Sequence, residues 1–134
     1  MTEVDKSIQN AQRDLKIYFV NELVLIFDRM KIDTNDVMEA VAIKWNFLPF
    51  KPSLVVGNCI SVAPYFLTHK STQLCYTPGV VFGRNVNDSI PRFVSYKVVD
   101  LTKLKGNFKK KAKTLILGIT FRVNLNDIRN SKVS

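Results

Sequence analysis

The stretch from Val4 to Met30 contains neither Gly nor Pro, and within it Ile8, Leu15, Phe19, Leu23 and Ile26 recur at spacings of three, four or seven residues. That spacing follows the helical turn and predicts one long amphipathic helix. Asp33 and Thr34 can then cap a shorter helix carrying Val37, Ala40 and Val41 and ending near Lys44. Pro49, Pro52 and Gly57 break any periodicity, so residues from Trp45 to Asn58 read as an irregular loop, long enough to be functional. A third helix is expected from Cys59 to about Leu74, with Pro64 in its first turns, and a fourth from Pro78 to about Lys103, kinked at Pro91. Only after these four helices does a β signal occur. Thr114–Gly118 (TLILG) is an apolar run resembling the first strand of a buried parallel sheet. The expected architecture is therefore mainly α: a helical domain over residues 1–104, then residues 105–134 as the opening of an α/β domain that the chain leaves truncated.

Composition narrows the function. With 134 residues, 46% of them hydrophobic, the chain can build a core, and no apolar run reaches the ~18 residues of a membrane span. Residues Met1 to Asp5 lack the basic-then-apolar pattern of a secretory signal, so a cytoplasmic setting is expected. Two cysteines and one histidine, His69, are too few for a disulfide framework or a histidine-built zinc site, and no metal is expected. Lys plus Arg is 20 against 11 Asp plus Glu, a formal charge of +9, which favours an anionic partner: nucleic acid, phosphate or a nucleotide-bearing small molecule.

Three features could carry chemistry. Lys6, Asn10 and Arg13 lie four and three residues apart and project from one face of the first helix, as a binding stripe or as an ordinary solvated face. Cys59 falls at a predicted helix start, where unpaired N–H groups and the positive end of the helix dipole favour thiolate; it is a candidate nucleophile, or a small buried hydrophobe. Cys75, late in an apolar helix, reads as the latter. The lysines at 103, 105, 109, 110, 111 and 113 would attract nucleic acid, but only Phe108 interleaves with them, so a solvated basic loop is the simpler reading.

Several segments carry a resemblance. Asp5–Leu15 (DKSIQNAQRDL), Asn21–Leu23 (NEL), Lys44–Pro52 (KWNFLPFKP), Gly57–Ile60 (GNCI) and Pro64–Lys70 (PYFLTHK) are similar to the central part of the UDP-glucose/GDP-mannose dehydrogenase family. They most resemble its UDP-N-acetylhexosamine 6-dehydrogenase branch, which serves capsule and O-antigen polysaccharide synthesis. Arg84, Asn87-Asp88, Gly118–Phe121 (GITF) and Asp127–Ser131 (DIRNS) continue the likeness into the linking helix and the opening of the C-terminal domain.

The resemblance implies oxidation of a UDP-sugar at C-6 to the uronic acid in two NAD-dependent hydride transfers, through an aldehyde that a cysteine captures as a thiohemiacetal and then a thioester. It matches Cys59 to that nucleophile, Lys6 to the lysine that stabilises the reacting oxygen, and Asn10 to its asparagine partner. Arg13, Gly57 and Arg122 match substrate-contacting positions, and Arg129 matches a position reaching NAD. It also implies a homodimer through the helical domain, built on the stretch Pro78–Lys103.

Departures accompany it. Where the family has Gly-Gly-His-Cys, this chain has Val56-Gly57-Asn58-Cys59; Ala63 replaces the family's aspartate, and Arg122 the lysine of its Phe-Lys element. No strand-linked Gly-x-Gly-x-x-Gly occurs in the 134 residues, so the chain is expected to be part of such a dehydrogenase and inactive alone. A non-catalytic dimerisation or interaction module is the alternative, and a basic nucleic-acid binder the third.

Overall fold

The computed structural model describes residues 2–48, 50–56, 58–105 and 113–118 with Thr120, Asn124, Ile128 and Ser131; for residues 2–3, 58–63 and 81 it describes the backbone alone. Four helices follow in chain order: α1 (Thr2–Met30), α2 (Thr34–Ala42), α3 (Asn58–Gln73) and α4 (Val80–Leu104). α1 is the frame against which the other three pack. Asp14 meets Arg84, Asn21 meets Asn87 and Asp28 forms an ion pair with Lys97, so α1 and α4 lie side by side and run in the same direction.

The ends of the helices follow local chemistry. The Asp33 side chain accepts from the Asn35 amide at 2.7 Å and caps α2, satisfying one of its orphan N–H groups. α1 and α3 close in the same way. Ile32 N donates to Phe27 O and Lys31 N to Asp28 O; Tyr76 N donates to Ser71 O and Cys75 N to Thr72 O. Both are Schellman closures, which place one residue in the left-handed region, here Lys31 at φ 60° and Cys75 at φ 59°. Cys75 is therefore an exposed residue beyond the helix, rather than the buried one its apolar neighbours suggested, because the closure turns the chain away from the core.

Three other expectations change. Pro64 is the seventh residue of α3, beyond the four N-terminal residues whose N–H groups have no helical partner, so it removes a hydrogen bond that the carbonyl of Ile60 would otherwise accept. The residues Thr114–Gly118 form no strand: no other described segment pairs with them, and Leu115 and Leu117 are 82% and 86% exposed. A strand exists only through hydrogen bonds to a neighbour.

The third change concerns α1, whose apolar periodicity does not mark its buried side. Ile8, Leu15, Phe19 and Ile26 are exposed, whereas Ser7, Ala11, Asp14, Val20 and Asn21 are buried. Successive residues step about 100° around a helix, which places Ser7, Asp14, Asn21 and Asp28 along one line. From Asp14 to Asp28 that line meets α4, and its residues are all polar.

Candidate functional site

The centre of the molecule is a buried polar network. Arg84, Asn21, Asn87 and Asp14 are each at most 2% exposed, and with Val20 they are the largest fully buried side chains among the described residues. Arg84 Nη1 donates to Asp14 Oδ1 at 3.0 Å, while Nη2 and Nε reach the two carboxylate oxygens of Asp88 at 2.6 and 3.2 Å. Asn87 Nδ2 donates to Asp14 Oδ1 at 2.8 Å and to the Asp14 carbonyl at 3.1 Å. The Asn87 oxygen in turn accepts from Asn21 Nδ2 at 2.8 Å. Asn21 completes the chain outward: Nδ2 also donates to Ser53 O at 2.9 Å, and its oxygen accepts from Ser53 N at 3.1 Å.

Burial pushes the Asp14 carboxyl above its ordinary value, outweighing the hydrogen bond from Asn87 and the charge of Arg84, which pull it down. Its Oδ2 has no hydrogen-bond partner. Burial alone would lower the Arg84 pKa, but the hydrogen bond to Asp88 and the charges of Asp14 and Asp88 raise it, so the guanidinium stays charged. Around this centre Gly83 accepts the Tyr18 ring so closely that a Cβ would meet two ring carbons at 3.0 Å.

Three of the candidate site residues lie on α1, one of the two helices that this network joins. Lys6 and Arg13 are exposed and Asn10 is half-buried, all on α1 and flanking the buried Ser7–Ala11–Asp14 seam. Cys59 is the second residue of α3, so its backbone sits at a helix N-terminus as the sequence predicts; its side chain lies outside the described ones. Gly57, Arg122 and Arg129 lie outside the described residues, as do Lys109, Lys110 and Lys111 of the basic run, while Lys103, Lys105 and Lys113 are exposed.

Among the described residues, two of the cavities lie elsewhere. One of about 480 Å³ is lined by Met38, Ala42, Phe47 and Phe50 between α2 and the following loop, and one of about 380 Å³ by Leu15, Phe19, Phe47 and Leu48. The second opens on the side of α1 opposite Lys6, Asn10 and Arg13. Lys16 Nζ lies 5.1 Å from the centre of the Phe50 ring and ties this loop to α1.

Comparison with known proteins places this arrangement. The family model for the central domain of the UDP-glucose/GDP-mannose dehydrogenase family matches residues 1–89 of the 134. The chain belongs to that family. It is 47% identical over 134 residues, 99% of its length, to the UDP-N-acetyl-D-glucosamine 6-dehydrogenase of Salmonella typhi. It is 44% identical over the same share to Protein CapL of Staphylococcus aureus, and 32% identical over 96% of its length to the UDP-N-acetyl-D-mannosamine dehydrogenase of Methanocaldococcus jannaschii. The chain spans 32%, 32% and 29% of those three relatives, about a third of each. Among the described residues no helix is long and apolar enough to cross a membrane, and no group of three His, Cys, Asp or Glu could hold a metal ion.

This dehydrogenase family uses NAD. The described residues do not fit that cofactor. Dinucleotide cradles are built from a strand, a glycine-rich turn and a helix N-terminus, and the described residues contain no strand. Gly83 is packed against Tyr18 inside α4, and Gly79 precedes α4 without a strand before it.

Asp14, Asn21, Arg84 and Asn87 were not singled out for chemistry by residue-type reasoning. One signal was legible: polar residues at positions 7, 14, 21 and 28 share a helix line, which a solvated face has no need to keep in register.

Proposed function

We propose that these residues form the substrate-handling central part of an NAD-dependent UDP-N-acetylhexosamine 6-dehydrogenase of polysaccharide precursor synthesis, working in the cytoplasm. The supporting observation is the 47% identity to a UDP-N-acetyl-D-glucosamine 6-dehydrogenase across the chain, with Cys59 at the start of α3 and Lys6 and Asn10 on the helix that α3 packs against.

In this reading the Cys59 thiolate adds to the carbonyl carbon of a C-6 aldehyde, and the negative charge passes to the aldehyde oxygen. The ammonium of Lys6 and the amide of Asn10 stabilise that oxyanion, the electrostatic help that acyl-type intermediates need. Arg13, Gly57 and Arg122 contact the anionic UDP-sugar, and Arg129 reaches toward NAD. Ala63 cannot act as a base for thioester hydrolysis, and the described residues offer NAD no cradle. The 134 residues by themselves are therefore expected not to turn over. The domain boundary is placed after α4, whose end at Leu104 supports a helical unit over 1–104 and a second unit opening at 105.

Incubation with UDP-N-acetylglucosamine and NAD should give no absorbance at the wavelength of NADH; turnover abolished by Cys59→Ala would overturn the inactivity. In a Cys75→Ser background, UDP-N-acetylglucosamine should slow alkylation of Cys59. Unchanged alkylation at saturating ligand counts against the substrate site.

A specific observation favours a second reading, a homodimerising module. Val4, Ile8, Leu15, Phe19, Ile26 and Met30 are exposed and fall within about 80° of one side of α1. The set is symmetric about Ile17: Val4 mirrors Met30, Ile8 mirrors Ile26, Leu15 mirrors Phe19. An antiparallel second copy would place apolar against apolar, as an isologous two-fold contact requires. On the stretch Pro78–Lys103 implied by the family, α4 adds exposed Val94, Val98 and Leu101 on one face. Light scattering should report a dimer at micromolar concentration that Phe19→Asp converts to monomer; a strictly monomeric parent excludes this reading.

A further inference from the structure

The Asn21 side chain is fully buried, yet two of its three hydrogen bonds go to the backbone of Ser53, an exposed residue. The Ser53 backbone satisfies the polar atoms of a fully buried amide, as any donor and acceptor within reach would. What the two bonds add is geometry. One planar amide accepts from Ser53 N and donates to Ser53 O, fixing both the position and the direction of the backbone there. The amide cannot swing away, because its second N–H is held by Asn87, which is itself held twice by Asp14, which pairs with Arg84.

The clamped segment leads to the start of α3. Val55, two residues on, is 2% exposed, α3 begins at Asn58, and Pro64 inside α3 is buried. The helix start that carries Cys59 is thus bracketed by the Asn21 clamp, the Val55 anchor and Pro64. The clamp also belongs to the helix that bears Lys6, Asn10 and Arg13. Asn10 and Asn21 are eleven residues apart, about three full turns, so they project from nearly the same line of α1. A single rigid element holds both the cationic stripe and the approach to Cys59.

We propose that Asn21 is a positioning residue that sets the placement of the Cys59-bearing helix start relative to the Lys6–Asn10–Arg13 stripe on α1. This rests on the reading of Cys59 as a nucleophile, and it assigns Asn21 a function through Ser53 rather than contact with substrate.

The test uses the full 134-residue chain in a Cys75→Ser background, with two measurements on Asn21→Ala, Ser53→Pro and Ser53→Ala. Ser53→Pro removes the backbone N–H, keeps every side chain of the buried network and costs it only the donor to Asn21 Oδ1, so it remains informative if Asn21→Ala fails to fold. Hydrogen exchange reads the clamp: Asn21→Ala should raise exchange at Ser53 and Val55 at least tenfold more than at the core amides of α1 and α4. Alkylation of Cys59 by iodoacetamide across pH reads the consequence: Asn21→Ala and Ser53→Pro should change its rate at least threefold and shift its pH midpoint, whereas Ser53→Ala, which keeps both backbone groups, should match the parent. A lowered melting temperature with an alkylation profile superimposable on the parent's would show a structural role only and overturn the proposal, as would Ser53 exchange that rises no more than core exchange. Failure of the nucleophile reading is visible separately, in the Cys75→Ser parent: Cys59 would titrate as an ordinary thiol, at about 8.5. The rate comparison among variants still decides whether Asn21 positions the helix start.

Discussion

Replacing Arg84 by Met should destabilise the chain by about 3–5 kcal/mol near neutral pH, and most of that loss should be reversible by acid. Met keeps much of the side-chain volume, so packing contributes little. The two hydrogen bonds to Asp88 contribute little as well, because that carboxylate is 36% exposed and water replaces the lost partner. The dominant effect is on Asp14, 0% exposed, which loses its cation at 3.0 Å and keeps Asn87 as its side-chain donor, with Oδ2 already without a partner.

The pH dependence follows from linkage. Burial already raises the folded-state pKa of Asp14, so the folded chain holds that proton to higher pH than the unfolded chain, and the group's contribution to stability declines as pH rises through the folded pKa. Removing Arg84 raises that pKa further. The deficit of Arg84→Met relative to the parent should therefore be largest above the raised pKa and shrink as pH falls toward about 4.5. Urea unfolding followed by circular dichroism measures it, and Asp14→Asn combined with Arg84→Met should recover part of the loss by removing the uncompensated charge. A deficit below about 1 kcal/mol at neutral pH, or one of equal size at both pH values, would refute the reasoning, since it would mean that Asp14 is not a buried carboxylate dependent on Arg84.

Other outcomes follow from local geometry. Lys31→Gly and Cys75→Gly relieve residues held at φ 60° and 59° in helix closures, and each should stabilise by about 1 kcal/mol, a rise of roughly 3–5 °C in melting temperature. Asp33→Ala removes the α2 cap and should lower stability by about 1 kcal/mol in the same measurement. Gly83→Ala places a methyl at 3.0 Å from the Tyr18 ring and should cost about 1–3 kcal/mol; pairing it with Tyr18→Ala should show a favourable coupling in a double-mutant cycle, because the clash then has no partner.

The sequence by itself determined the number, order and approximate ends of the four helices, because a stretch without Gly or Pro, an Asp-Thr cap and the Pro and Gly punctuation act within a few residues of the bonds they control. It also placed Cys59 at a helix start, and its motifs indicated the family before any geometry was available. What it could not determine was which face of each helix turns inward. The apolar periodicity of α1 pointed to Ile8, Leu15, Phe19 and Ile26, yet the buried line carries Ser7, Asp14 and Asn21. Periodicity reports that a face is apolar, not what covers it, and α1 has one apolar and one polar face that both repeat along the rod. The choice fell to α4, because Arg84 and Asn87 reach Asp14 and Asn21 only when the polar line faces them, and a guanidinium and amides removed from water must find such partners. The same dependence on a neighbour explains Thr114–Gly118. Its residues favour a strand, but a strand is completed by the segment beside it, and among the described residues none lies there.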